Sequence, residues 1–145
     1  MHPSIIRSGI FGVALAALLG TSSVANAEAM KFTADMNAAQ EVPVNDSKGS
    51  GALTATYDTA SKKLTYTVNY KDLSGPATMA HFHGPADTKT NASVVVPAKD
   101  AANPIKGEAT LTDAQAADLQ GGKWYFNVHT EKNKGGEIRG QVMKK

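Results

Sequence analysis

The sequence predicts an antiparallel all-β domain, a sandwich or barrel, interrupted by one short helix. Three observations carry that expectation. Apolar and polar residues alternate with a period of two over several short runs. Clusters of Asn, Asp, Ser, Gly and Pro separate those runs at fairly regular intervals. One stretch alone shows helix start and stop signals.

The first strand is expected at 30–36, with Phe32, Ala34 and Met36 on one face. The next two, 53–57 and 64–70, alternate cleanly through Leu53, Ala55 and Tyr57 and through Leu64, Tyr66, Val68 and Tyr70. Only Asp58 to Ser61 and a pair of lysines separate them, so they are expected to form a hairpin. Further strands are expected at 78–83, 93–96, 107–111, 123–130 and 137–142. The helix is expected near 112–120, with Thr112 and Gln115 as a capping box and Gly121 as the glycine just past its end.

Residues 1–27 have the three parts of a secretory signal peptide. Arg7 supplies a positive charge, 9–19 an apolar run, and Ala25-Asn26-Ala27 a small-residue cleavage site. The run is too short for a membrane anchor, which needs about 20 apolar residues. The expected products are a cleaved peptide, 1–27, and a single domain, 28–145, exported to the periplasm or the medium, with no membrane attachment after cleavage.

The chain has 145 residues, a net charge of +2 and no cysteine. The charge balance leaves no basic footprint for nucleic acid. The missing cysteines exclude disulfides, thiolate metal sites and a cysteine nucleophile. No Gly-x-Ser-x-Gly and no phosphate-binding glycine loop is present. Asn91-Ala92-Ser93 matches a glycosylation sequon and is read as coincidental. No catalytic residue is assigned.

Transition-metal chemistry therefore falls to histidine. Beyond the signal segment there are three: His81, His83 and His129. His81 and His83 are i and i+2 on one strand, so both imidazoles project from the same face, with Phe82 pointing to the core. In the strand at 123–130, Trp124, Phe126 and Val128 are apolar, and Tyr125, Asn127 and His129 share the opposite face. By the same parity Glu137, Arg139 and Gln141 face outward, while Ile138 and Val142 go to the core. Adjacent strands would collect His81, His83, Tyr125, Asn127, His129, Glu137 and Arg139 in one outer polar patch. The expected metal ligands are His81, His83 and His129, with Tyr125, Asn127 and Glu137 as supporting groups or a fourth ligand. Arg139 is expected to pair with Glu41 or Glu137. Three imidazoles without thiolates suit copper or zinc, and the affinity order favours copper. A shallow outer site would also permit completion across a homodimer.

Phe32-x-Ala34…Gln40-Glu41-Val42-Pro43, then Ala80-His81-Phe82-His83-Gly84-Pro85-Ala86, then Tyr125-x-Asn127-Val128-His129-Thr130, then Gly136-Glu137-Ile138-Arg139-Gly140-Gln141 together resemble the CHRD domain. This domain is named after chordin and occurs in many bacterial secreted proteins. The resemblance runs over about 30–143. It implies an immunoglobulin-like or superoxide-dismutase-like Greek-key β-sandwich. It marks Glu41, His81, His83, Asn127, His129, Glu137 and Arg139. One departure is Val42-Pro43-Val44, where many members carry a second proline. A dinuclear superoxide dismutase site cannot be assembled from three histidines and no cysteine.

Three functions follow as expectations. The first is a secreted copper- or zinc-binding domain for sequestration or transfer. The second is a non-enzymatic protein- or glycan-interaction module with a structural histidine patch. The third is a mononuclear copper redox enzyme, for which no substrate is identified.

Overall fold

A computed structural model describes residues 26–145. The signal-peptide reading falls on 1–27 and so lies, but for its last two positions, outside the described residues. The eight expected strands are present. They are β1 (Ala29–Asn37), β2 (Ser50–Asp58), β3 (Lys63–Lys71), β4 (Ala77–His83), β5 (Val94–Pro97), β6 (Ile105–Thr110), β7 (Trp124–Thr130) and β8 (Ile138–Lys144), with α1 (Asp113–Gln120) between β6 and β7. All are antiparallel to their neighbours, in the order β5-β4-β7-β8-β1-β2-β3-β6.

The eight strands make one continuous sheet curled over its own apolar face. Tyr66 of β3 meets Phe82 of β4 edge-on at 4.9 Å, so opposite ends of the strand order face each other across the core. The fold occurs where β8 meets β1. Their ladder is paired at Thr33–Met143 and again at Asn37–Arg139, with no pairs between. At that gap a side chain on Gly140 would collide with the Asp35 carbonyl, so only glycine lets the two strands pass this close. The alternating residues fill the interior as expected: Phe32, Leu53, Leu64, Val68, Phe82, Trp124, Phe126, Ile138 and Val142 are all buried.

The β2–β3 hairpin turns through 59–62, with Lys62 at φ 58° and the Asp58 carboxylate accepting from the Ser61 N–H at 2.7 Å. Thr112 and Gln115 form the expected capping box, and α1 buries Ala116 and Leu119 against the core. The helix end differs from expectation. Gly121 has φ −77° and is the cap itself, whereas the left-handed residue is Gly122, at φ 69°. The helix still ends at Gln120, within the expected 112–120, and only the left-handed glycine is displaced by one position.

The outer face of β4, β7 and β8 is not open. A single 3-10 turn (Ala38–Gln40) leads into a segment, 41–49, that crosses over it, and the β4–β5 connection, 84–93, covers the rest. The two coverings are joined to each other by the Asn91 side chain, which donates to the Val42 carbonyl at 2.7 Å. Every residue of β7 is buried as a result. The expectation of a solvent-facing polar patch is therefore corrected. Glu41, Asn127, His83, His129 and Arg139 form a second, polar interior under this roof. Among the described residues no helix is long and apolar enough to cross a membrane.

Candidate metal centre

β4 and β7 place the site. In their register Met79 lies opposite His129, His81 opposite Asn127, and His83 opposite Tyr125. Directly opposed residues point to the same face, about 4.5–5.5 Å apart at Cβ. The six side chains therefore form a two-by-three grid on the roofed face. His81 stands only half buried, at the open end of the roof, while His83 and His129 are buried.

The imidazoles converge. His81 Nδ1 lies 3.2 Å from His129 Nε2, and one ligand nitrogen from each of the three rings falls within 4.8 Å of the others. The roof fixes two of the rings. His83 Nδ1 donates to the Ala92 carbonyl at 2.9 Å, and His129 Nδ1 donates to the Lys134 carbonyl at 2.8 Å. A carbonyl only accepts, so in each neutral ring the proton sits on Nδ1 and Nε2 offers a lone pair. Both Nε2 atoms face Asn127 Oδ1, at 3.0 Å for His83 and 2.9 Å for His129. The other end of the Asn127 amide bonds to Glu41. With its oxygen and nitrogen exchanged the same amide donates one N–H to each Nε2, so Asn127 sits where it can orient both rings.

Burial drives the His81 pKa down to about 4, helped by the neighbouring charges of His129 and His83. The His83 pKa is also lowered, chiefly by burial and against its hydrogen bonds to Ala92 and Asn127. These two rings are held as neutral ligands at neutral pH. A tetrahedral zinc or copper site with bonds of about 2.0–2.1 Å sets its nitrogens roughly 3.3 Å apart. The His81–His129 separation already meets that, and the remaining pairs lie within 4.8 Å.

The supporting residues divide. Tyr125 stacks flat on His83, with ring centroids 4.8 Å apart and planes 4° from parallel. Because β7 lies between β4 and β8, Arg139 approaches Tyr125 from the other side, its guanidinium carbon 3.5 Å from the ring centroid. The phenol ring therefore separates the buried cation from the imidazoles and holds it by a cation–π contact. Arg139 does not form the expected ion pair with Glu41 or Glu137. Its guanidinium donates to the Asp87 carbonyl at 2.8 Å, the Thr90 carbonyl at 2.9 Å and Asn91 Oδ1 at 3.1 Å, which ties down the roof. Asn91, the sequon residue, is thereby engaged on both sides.

Glu41 enters from the other half of the roof and is buried with Oε1 unpartnered. Burial pushes its pKa up to about 7, against the pull of the Arg139 charge and of hydrogen bonds from Asn127 and Val42. It packs so closely over Gly136, at φ 127°, that a side chain there would strike Glu41 and Asn127. Glu137 lies elsewhere. Its carboxylate accepts from Ser47 Oγ at 2.6 Å, from the Ser74 N–H and Oγ at 2.7 Å, and from Thr130 Oγ1. Thr130 belongs to the core-facing parity of β7, so Glu137 ties loop ends together and makes no hydrogen bond to a histidine. The sequence reading also missed participants: the backbone carbonyls of Ala92 and Lys134, which carry no side-chain signal.

The fold and site define a class: a curled β-domain whose loops roof a histidine cluster on its outer face. The model of the CHRD domain family matches residues 32–142, from β1 into β8, and the chain belongs to that family. No curated protein and no solved structure matches the chain.

Proposed function

We propose that the protein is an exported metal-binding domain that holds copper in preference to zinc on His81, His83 and His129, for sequestration or transfer. One observation carries this reading. One ligand nitrogen from each of His81, His83 and His129 lies within 4.8 Å of the others, and the Asn127 amide stands 2.9–3.0 Å from two of them. A cation among the three rings would take all three imidazole lone pairs at once, and the proton on Nδ1 of His83 and of His129 leaves each Nε2 free to bind it. The donor set is nitrogen and oxygen only, and the affinity order then places copper(II) above zinc(II). Export rests on the signal-like residues 1–27, and an oxidising compartment suits copper(II). When bound, the metal supplies a Lewis-acidic, redox-capable centre. The chain itself supplies pre-set tautomers, a stacked tyrosine and a half-exposed edge at His81.

Calorimetric titration of the domain with Cu(II) and Zn(II) tests this. We expect tight 1:1 binding, weakened more than about a hundredfold by His129→Ala or His83→Ala, since even loss of a supporting residue costs about 10–100-fold. Equally weak binding by wild type and both variants rejects the reading.

A further inference from the structure

We propose that Met79 is a fourth ligand, through its thioether sulfur, and that it makes this a site for copper(I) as well as copper(II). The inference rests on the histidine reading above and goes beyond it, because it assigns a residue and an oxidation state. Three observations support it. Met79 stands directly opposite His129 in the β4–β7 register and two residues before His81 on the same strand face. It therefore adjoins two of the three imidazoles. Against β7 the register irregularity of β4 falls between Ala77 and Met79 and the pairing runs unbroken from Met79 to His83; a second irregularity, between Phe82 and His83, is in the pairing with β5 and skips Val95. Packing does not account for the side chain: it is 49% exposed, at the same open end of the roof where His81 reaches solvent.

The chemistry is specific. An unbranched methionine has enough freedom to swing its sulfur onto a neighbouring centre. Thioether sulfur is a soft donor that selects copper(I) and adds little for zinc(II). Three imidazoles and one thioether, with sulfur at the mouth, give a centre that takes copper(I) from solution through its exposed edge.

The chain also makes the test clean. It has no cysteine, so any sulfur bound to copper is a methionine. Of the other methionines in the described domain, Met30 of β1 packs against the core, Met36 is sealed in it, and Met143 of β8 lies beside Gly122. The experiment is an anaerobic copper(I) titration against a chromogenic chelator, with a parallel zinc(II) titration, on wild type, Met79→Leu and His129→Ala. Copper K-edge absorption of the copper(I) forms reports the donor atoms. Leucine at an exposed position keeps volume and apolarity, so the variant folds as wild type does. We expect Met79→Leu to lose tenfold or more in copper(I) affinity, to keep zinc(II) within about twofold, and to lose a sulfur scatterer that wild type shows. His129→Ala loses both ions. Unchanged copper(I) affinity in Met79→Leu, or a wild-type spectrum without sulfur, overturns the assignment of Met79 and leaves the histidine site standing. Failure of wild type to hold either ion overturns both.

Discussion

Glu137 shows how one residue can satisfy a sequence pattern and still belong to a different site. Its parity with Arg139 and Gln141 suggested the histidine face. The chain, however, emerges from Gly136 at φ 127° just before it, and that turn sends the carboxylate to Ser47, Ser74 and Thr130. Burial would raise its pKa, but the hydrogen bonds from Ser47, Thr130 and Ser74 outweigh it and hold the carboxyl at about 2, below its ordinary 4.5. The ionised form is thus favoured by folding. Its stabilisation is complete above about pH 4.5 and is lost as pH falls through 2. Chemical denaturation from pH 5 to pH 2 should show unfolding free energy falling across this window. Glu137→Gln should flatten that part of the slope and cost on the order of 2–3 kcal/mol at pH 7. An unchanged slope would assign the acid sensitivity to another carboxylate. The three histidines, by contrast, were legible from the sequence, because spacing of two on a strand fixes direction. Met79 shares that spacing, but a methionine on an alternating strand reads as an apolar residue and carries no direction toward a metal.

At the scale of elements, the strands, the β2–β3 hairpin and the capped helix were all visible in local sequence. Each is set by contacts within a few residues: alternation for Leu64 to Tyr70, side-chain capping for Thr112 and Gln115. The roof was invisible for the converse reason. Segments 41–49 and 84–93 carry no periodicity, and what binds them is long-range bonding of Arg139, Asn45 and Asn91 to backbone carbonyls. A polar strand face reads as exposed until something is known to cover it. Arg139 is the main fastening of the second segment, so Arg139→Leu should free it. The expected cost is about 2–4 kcal/mol, for three hydrogen bonds and the contact with Tyr125. Amide exchange should quicken at Asp87 to Ala92 while the β2–β3 hairpin stays protected. Uniform quickening across the chain would show that the roof is not an independently opening unit.

For the whole molecule, the sequence predicted an antiparallel sandwich or barrel but not the order in which the strands pair. Periodicity says which face a residue takes and nothing about which strands meet. The pairing of β1 with β8, across almost the full chain length, depends on the close pass at Gly140. Because the metal ligands come from both β4 and β7 and are set by a folded roof, binding is coupled to global folding. A copper ion held only by the native state at a hundred times its dissociation constant adds about 2.7 kcal/mol. For a domain of this size that raises the melting temperature by roughly 10 °C. Scanning calorimetry with copper, and again after chelator, should show the rise and its reversal; a melting temperature indifferent to both would show that the native state does not capture the ion.

The sheet ends on two unlike borders. On one side β5 has four residues and closes with Pro97. On the other, β6 turns Lys106 and Glu108 to solvent around the small Gly107. A short strand ending in proline and a charged strand centred on glycine are both poor templates for a further strand. Growth of the sheet from copy to copy is thereby discouraged at both ends, and a second molecule seeking the metal is left to approach face-on, through the gap where Met79 and His81 meet the solvent.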